Sequence, residues 1–278
     1  MALCELHCHS QASDGSLSPG ELIHHAADAG ISALCLTDHD TVAGLEEASR
    51  AAELRGIRFI PGIEIEISHP SGAFHLLGLG IHDYQGHMED ILPRVRQDRI
   101  DRNMAIAKKM ARLGVPGEYR DVAALADGDV VGRPHFAEYL IRKGFAFDVA
   151  DAFERFLGPG GSLYVPREGI DLEEAIGKIH QSGGVAVVAH PASLHLSWTK
   201  LRKEAAEWKE MGLDGIEAYH ASVKLNDGKK YHRIAEELEL LANAGSDFHT
   251  PEQRHKAIGH RCIEQLEIGE EFLRGILA

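Results

Sequence analysis

The sequence predicts an α/β barrel interrupted by a mainly helical insertion. Short apolar runs alternate with helix-like segments near both ends of the chain, the rhythm of a parallel sheet built from βα units. That rhythm stops between about residue 81 and residue 165, where helical periodicity takes over. The 278 residues are enough for one large barrel or a core domain with a smaller inserted one. The expected division is therefore a barrel from residues 1–80 and 166–278 and an insertion from 81–165.

Leu3 to His7 reads as the first strand. Ser18-Pro19-Gly20-Glu21 opens a helix: Ser18 can cap it, Pro19 suits the first turn, and Glu21 completes a capping box. Gly30 closes that helix. Ala33 to Thr37 is a second strand, Val42 to Arg55 a second helix, Phe59 to Ile67 a third strand and Phe74 to Leu79 a fourth. Inside the insertion, Ile106, Met110 and Leu113 fall at i, i+4 and i+7 on a helix from Arg94 to Leu113, and Gly158-Pro159-Gly160-Gly161 marks a loop. Leu172, Ala175, Ile176 and Ile179 then form a helical stripe that Gly183-Gly184 ends. Val185 to Ala189 is a buried strand, followed by a helix at Leu201 to Met211 and a strand at Gly215 to Ala218. A helix from Asn226 to Leu238 and a strand from Leu241 to Ala244 close the series.

Hydrophobic residues make up 44% of the chain and charged residues 26%, ordinary proportions for a globular protein in water. No run approaches the roughly 20 apolar residues that span a bilayer. The start, Met1-Ala2-Leu3-Cys4-Glu5-Leu6-His7, lacks a basic segment followed by an apolar one, so no secretory signal is expected. Cys4, Cys8, Cys35 and Cys262 form no CxxC pair and read as the reduced thiols of a cytoplasmic protein. A formal charge of −14 weighs against duplex DNA as a partner. Small anionic substrates remain compatible with it, because bound divalent cations invert the local charge. Neither a membrane nor an obligate protein partner is expected. The unusual number is 18 histidines.

Many of those histidines sit with carboxylates in seven short segments: Leu6-His7-Cys8-His9-Ser10, Ser13-Asp14-Gly15, Thr37-Asp38-His39-Asp40, Gly62-Ile63-Glu64, Phe74-His75-Leu76, Ala189-His190-Pro191 and Gly245-Ser246-Asp247-Phe248-His249. Most follow an apolar strand, where α/β barrels place their active sites, whereas Glu64 and His75 lie within strands. His7 and His9 share one face of an extended strand and can reach one ion, and Asp247 and His249 repeat that spacing. Each segment alone has an ordinary explanation: an incidental strand histidine, a packed His190 before proline, an Asp14-Gly15 turn. Seven at corresponding ends of elements do not. Imidazole with carboxylate suits Mn²⁺, Fe²⁺ or Zn²⁺ and fits Mg²⁺ or Ca²⁺ poorly. His7, His9, Asp14, His39, Glu64, His75, His190, Asp247 and His249 are too many ligands for one ion, so two or three divalent ions are expected, Mn²⁺ first among them.

In order and content these motifs resemble the PHP (polymerase and histidinol phosphatase) superfamily, over the span from His7 to His249. The resemblance implies a distorted (β/α)₇ TIM-like barrel and a two- or three-metal centre. It also implies a partition of the ligands. His7, His9, Glu64 and Asp247 would hold one metal, Glu64 would bridge to a second held with His75 and His190, and Asp14, His39 and His249 would hold a third. Gly132-Arg133-Pro134-His135-Phe136-Ala137 resembles the stand-alone bacterial subgroup that includes nucleoside 3′,5′-bisphosphate phosphatases and the 5′→3′ exoribonuclease ribonuclease AM.

The implied activity is hydrolysis of the 3′-phosphate of a nucleoside 3′,5′-bisphosphate, such as 3′-phosphoadenosine 5′-phosphate, by a hydroxide bridging metals near Glu64. Short 5′-phosphorylated single-stranded RNA is the alternative substrate, and histidinol phosphate a further one. Glu64, His39 and His135 are the expected catalytic groups, His135 as proton donor. Arg99, Arg102, Asn103, Arg133, Pro134 and His135 are the expected substrate contacts. For Arg99, Arg102 and Asn103 a solvated helix face is the competing reading, and for Arg133 a helix cap. Cys8, facing away from its neighbours, is read as packing. His24, His25 and His255 are expected bystanders. His69, His82, His87, His180, His195, His220, His232 and His260 have no motif support. An amidohydrolase would need a strand-end lysine for a bridging carbamate, which the sequence lacks. A non-enzymatic metal-binding accessory module is disfavoured by the complete ligand set.

Overall fold

The structure is a computed structural model that describes residues 3–68, 74–126, 130–166 and 169–276. Seven strands follow in spatial order: β1 (Leu3–Cys8), β2 (Ile31–Leu36), β3 (Arg58–Ser68), β4 (Phe74–Leu79), β5 (Val185–Val188), β6 (Gly215–His220) and β7 (Leu241–Gly245). Beyond the strand ends, β7's side of the sheet returns to β1. The N–H of His9 bonds the carbonyl of Phe248, and that of Asp247 bonds the carbonyl of His7. With this nearly closed, barrel-like sheet the chain forms helices α1 (Pro19–Asp28), α2 (Leu45–Arg55), α3 (Leu92–Arg112), α4 (Arg133–Arg142), α5 (Leu172–Gln181), α6 (Trp198–Glu210) and α7 (Leu225–Glu237). Among the described residues, no helix is long and apolar enough to cross a membrane.

Local chemistry sets several boundaries. Ser18 Oγ accepts the N–H of Glu21, whose carboxylate accepts the N–H of Ser18, so α1 begins on its capping box. Helix α2 starts at Leu45 rather than Val42, because Thr41 Oγ1 accepts the N–H of Ala43 and holds that stretch in a turn.

One strand departs from the expected parallel sheet. β4 pairs antiparallel with both β3 and β5. β3 ends at Ser68 and β4 begins at Phe74, a link too short for a crossover connection, so the chain doubles back. The reversal has a functional consequence. It brings the N-terminal end of β4, with His75, to the barrel mouth where the other strands end.

The barrel core includes Leu6, Leu34, Ile63, Leu77, Val187 and Ile216. A second core lies in the insertion, around Ile106, Met110, Phe136, Leu140 and Leu163. Helix α3 joins the two: Leu92 and Val95 pack in the first core and Ile106 and Met110 in the second. The expected third member of that stripe, Leu113, is 48% exposed. The helix ends at Arg112, and after the turn Val115 fills the buried position.

Candidate metal centre

His7 and His9 project from the end of β1, and both rings are fully buried. Their Nε2 atoms converge on the same two carboxylates. Glu64 Oε2 lies 3.4 and 3.3 Å away, and Asp247 Oδ1 3.5 and 3.2 Å away. Glu64, in the middle of β3, turns its other oxygen elsewhere. Oε1 is 2.9 Å from both His75 Nδ1 and His190 Nε2, which are 3.2 Å apart. Asp14 faces His249 Nε2 at 3.3 Å and His39 Nε2 at 3.8 Å, with His9 Nδ1 at 3.9 Å.

The nine expected ligands thus gather, in overlapping groups whose ligand atoms lie within 4.8 Å of one another. The overlap is greater than the implied partition: His9 also joins Asp14, His39 and His249, and His39 also approaches Glu64 Oε2 at 2.9 Å.

The donor set fits divalent metal. His7 Nε2, both ring nitrogens of His9, His39 Nδ1 and Glu64 Oε2 are buried without a hydrogen-bond partner. Buried polar atoms are rarely left so, and a group of them aimed at common points is what coordinated cations satisfy. Charge agrees. Burial alone would raise the pKa of Glu64, yet His39, His75 and His7 hold it well below the usual carboxylate range. Asp14 and Asp247 are likewise depressed against their burial, by His39 and His249 and by Lys256 and His249 respectively. Burial, with His249 and His39, pushes His9 down to about 3, leaving its imidazole neutral and able to donate a lone pair.

Several groups that hold the ligands escaped the sequence reading. Glu217, fully buried on β6, accepts Nδ1–H of His7 at 2.8 Å and the backbone N–H of His190 at 2.6 Å. Such an outer carboxylate fixes the tautomer and leaves His7 Nε2 for metal. His249 Nδ1–H is held by the carbonyl of Asp247, and His190 Nδ1 bonds Ser193 Oγ. His220 and Lys256 both reach Asp247 Oδ2, leaving Oδ1 to face His7 and His9. Glu5 accepts N–H bonds from His7, Ser246 and Gly259 and so ties β1 to β7. Signals for these groups were faint. Glu217 and His220 close the Gly215–His220 strand, and Gly245 marks a close approach: a Cβ there would lie 2.3 Å from His7 Cβ and 2.4 Å from Glu217 Oε1. Asp40, His190 and Asp247 have positive φ of 51°, 27° and 54°, backbone conformations that concentrate at functional sites.

The expected substrate residues divide. A cavity of about 210 Å³ has Asp14, His39, His75, His190, Asp247 and His249 on its walls, together with Arg99, Arg102, Arg133, Pro134, Phe153 and Lys256. Arg99 and Arg102 are not a solvated helix face: they are 6% and 5% exposed. Arg99 is ion-paired with Asp40, and both arginines approach Glu66. Asn103 is fully buried and absent from this lining, its Nδ2 donating to the carbonyl of Val131 at 2.7 Å. His135 is absent from it too. Its Nδ1 accepts the N–H of Gly132, so His135, and not Arg133, caps α4. Arg133 at the first position of α4 has no carboxylate partner among the described residues and lies 5.9 Å from the ring of Phe153.

Of the other groups, Cys8 is buried with Sγ donating to the carbonyl of Cys35, a packing role. His24 contacts Arg55, His25 stacks on Phe248, His255 is exposed and His180 pairs with Asp214. His69 lies outside the described residues. Lys256, the lysine that lines the cavity, spends its ammonium on Asp247.

The PHP domain family matches residues 5–211 of the chain. A 5′-3′ exoribonuclease of Haemophilus influenzae is 39% identical over 247 residues, covering 89% of this chain and 90% of its own. A 3′,5′-nucleoside bisphosphate phosphatase of Chromobacterium violaceum is 35% identical over 261 residues, covering 94% and 92%. A solved structure of an amidohydrolase from Chromobacterium violaceum, holding sulfate, superposes with a TM-score of 0.88 at 33% identity, covering 96% of this chain and 92% of the other.

Proposed function

The chain belongs to the PHP domain family and is a metal-dependent phosphoester hydrolase; on that premise we propose that it removes the 3′-phosphate of nucleoside 3′,5′-bisphosphates. With 3′-phosphoadenosine 5′-phosphate the products are adenosine 5′-phosphate and inorganic phosphate. Short 5′-phosphorylated oligoribonucleotides are the second substrate class; the Haemophilus relative is named a 5′-3′ exoribonuclease. Both reactions break a ribose 3′-O to phosphorus bond beside a 5′-phosphate.

The observation that carries this reading is the shared cavity. Metal-type ligands form one wall, while Arg99, Arg102, Arg133 and Lys256 supply cationic groups to the rest. A substrate with two phosphates on one ribose matches that division. Arg133, with no carboxylate partner among the described residues, is suited to grip the distal phosphate through its planar fork. Arg99 and Arg102, partly neutralised by Asp40 and Glu66, are fixed in place and lend positive potential. The sulfate in the Chromobacterium structure is a tetrahedral oxyanion of the same kind.

His7, His9, Glu64 and Asp247 would hold one ion, Glu64 with His75 and His190 a second, and Asp14, His39 and His249 a third. Manganese is the first choice. Divalent ions so held supply acidified water, neutralise phosphoryl oxygens and stabilise a leaving alkoxide. Glu64 keeps the ligand sets in register through its two oxygens, and Glu217 fixes His7 and the backbone of His190. Water adds its oxygen to phosphorus, the ribose 3′-oxygen leaves with its bonding electrons, and a proton from water ends on that oxygen. The four buried reduced cysteines suit a cytoplasmic setting.

The test is product analysis. Manganese-loaded protein should convert 3′-phosphoadenosine 5′-phosphate to adenosine 5′-phosphate with one equivalent of phosphate. Release of the 5′-phosphate instead, or hydrolysis of histidinol phosphate alone, would defeat the proposal.

A further inference from the structure

Asn243 lies in the middle of β7, 2% exposed, in a strand otherwise built of leucine, alanine and glycine. Among the described residues outside the ligand set, it alone has both polar side-chain atoms buried without a hydrogen-bond partner. A buried amide in that condition is destabilising, and an apolar side chain of similar size would avoid the penalty. Its place in the sheet gives a reason for it to be there.

Asn243 and Gly245 point to the same face of β7, since strand side chains alternate. That is the face on which a Cβ at Gly245 would meet His7 Cβ and Glu217 Oε1. In the parallel ladder Asn243 is the register partner of Glu217 on β6. The strands run about 4.8 Å apart, so amide and carboxylate are neighbours, one step deeper than the point where Gly245 approaches His7. The carboxylate can accept more than it does. Its two oxygens offer about four lone-pair sites, and the bonds from His7 Nδ1–H and the His190 backbone engage one on each oxygen. A buried water commonly makes about three bonds to polar groups that would otherwise go unsatisfied.

We propose that Asn243 is a positioning residue of the metal centre: its amide, through an enclosed water, steadies the Glu217 carboxylate, which in turn fixes His7 and the backbone of His190. The inference rests on the metal centre and not on which phosphoester is hydrolysed. An amide suits the place because it can support a carboxylate without adding charge beside the ligands. An apolar residue would leave Glu217 with one anchor fewer and freer to turn away from His7.

The test is Zn²⁺ affinity, measured on metal-stripped protein by competition with a chromophoric chelator. Asn243→Leu should weaken binding by about 10-fold, the lower end of what outer partners of metal ligands contribute. The metal-free variant should melt no lower than the unaltered protein, because an unpartnered buried amide has given way to an apolar side chain. Asn243→Ser, which keeps a hydroxyl and leaves space for a further water, should recover most of the affinity. The decisive comparison is made in Glu217→Ala protein. With the carboxylate gone, Asn243→Leu should change the affinity no further, the non-additivity expected of groups that act through one another. If Asn243→Leu does not fold, Asn243→Val is read against Asn243→Ser in the same two backgrounds. Unchanged affinity in the apolar variant, or the same loss with and without Glu217, would overturn the proposal and leave Asn243 a packing residue.

Discussion

Glu217 holds two metal-type ligands at once: one carboxylate oxygen takes Nδ1–H of His7 at 2.8 Å and the other takes the backbone N–H of His190 at 2.6 Å. The two histidines come from separate elements, β1 and the loop after β5, and stack with their ring centroids 5.8 Å apart. Removing the carboxylate should therefore loosen both. Outer-shell partners of this type typically contribute 10- to 100-fold to metal affinity. Glu217→Ala is expected to fall in that range and Glu217→Gln, which retains an acceptor oxygen, to lose less. Competition with a chromophoric chelator on metal-stripped protein measures it, and equal affinities for all three proteins would show the contact to be incidental.

Glu64 is the group whose two oxygens face different imidazoles. Glu64→Ala should leave the purified protein with most of its transition metal gone by elemental analysis, and phosphatase activity gone with it. Full metal content in an active Glu64→Ala protein would remove Glu64 as the bridge.

The ion pair between Arg99 and Asp40 joins α3 to the barrel in a buried setting. Asp40→Asn suits the position, since asparagine tolerates the positive φ there. It removes the charge while keeping an acceptor, and Glu66 remains 3.8 Å from Arg99. A loss of roughly 1–3 kcal/mol is expected, read as a lower denaturation midpoint with unchanged slope. No change in midpoint would mean the pair contributes nothing net.

How much of this was legible beforehand follows from what sequence patterns encode. Local periodicity located the seven strands and their helices, because each buries one face and must repeat its apolar spacing. The candidate ligands were legible because metal chemistry favours His, Asp and Glu, and most of them fall at strand ends. Glu217 was not, since a lone carboxylate in an apolar strand looks the same whether it supports a histidine or forms a surface pair. Nor was Lys256, which reaches Asp247 only through the turn at Arg254–Lys256. Arg99 and Arg102 were read as candidate contacts, but their burial depended on Asp40 and Glu66 arriving from elsewhere in the fold. The reversed β4 could be anticipated only from the short link between it and β3.

The four cysteines should be chemically silent in the folded protein. Burial raises the thiols of Cys4 and Cys262 to about 11 and moves those of Cys8 and Cys35 further up. The thiolate is the reactive form, so at pH 8 a disulfide reagent should label none of them until denaturant is added, when four equivalents should react. Any residual reactivity should climb with pH and level off only near pH 11, where the thiols of Cys4 and Cys262 ionise. Rapid labelling of the native protein at pH 8 would contradict their enclosure.

The last prediction asks whether the insertion reads the substrate. Arg133 lines the cavity from the first turn of α4, whose start is capped by His135, so the helix does not need the arginine side chain. Arg133→Ala should therefore keep its metal and its melting temperature while losing catalytic efficiency. Truncating a charge-assisted contact in a partly desolvated site costs about 2–5 kcal/mol, which is roughly 30- to several-thousand-fold at about 1.4 kcal/mol per decade. Arg133→Lys should recover part of this, because an ammonium cannot reproduce a bidentate fork. Steady-state kinetics on a nucleoside 3′,5′-bisphosphate and on an aryl phosphate then locate the contact. Loss confined to the bisphosphate places Arg133 at the distal phosphate, and equal loss on both places it at the reacting one. Unchanged kinetics on both would reduce Arg133 to its contact with Phe153 and leave recognition of the second phosphate to the barrel-facing arginines.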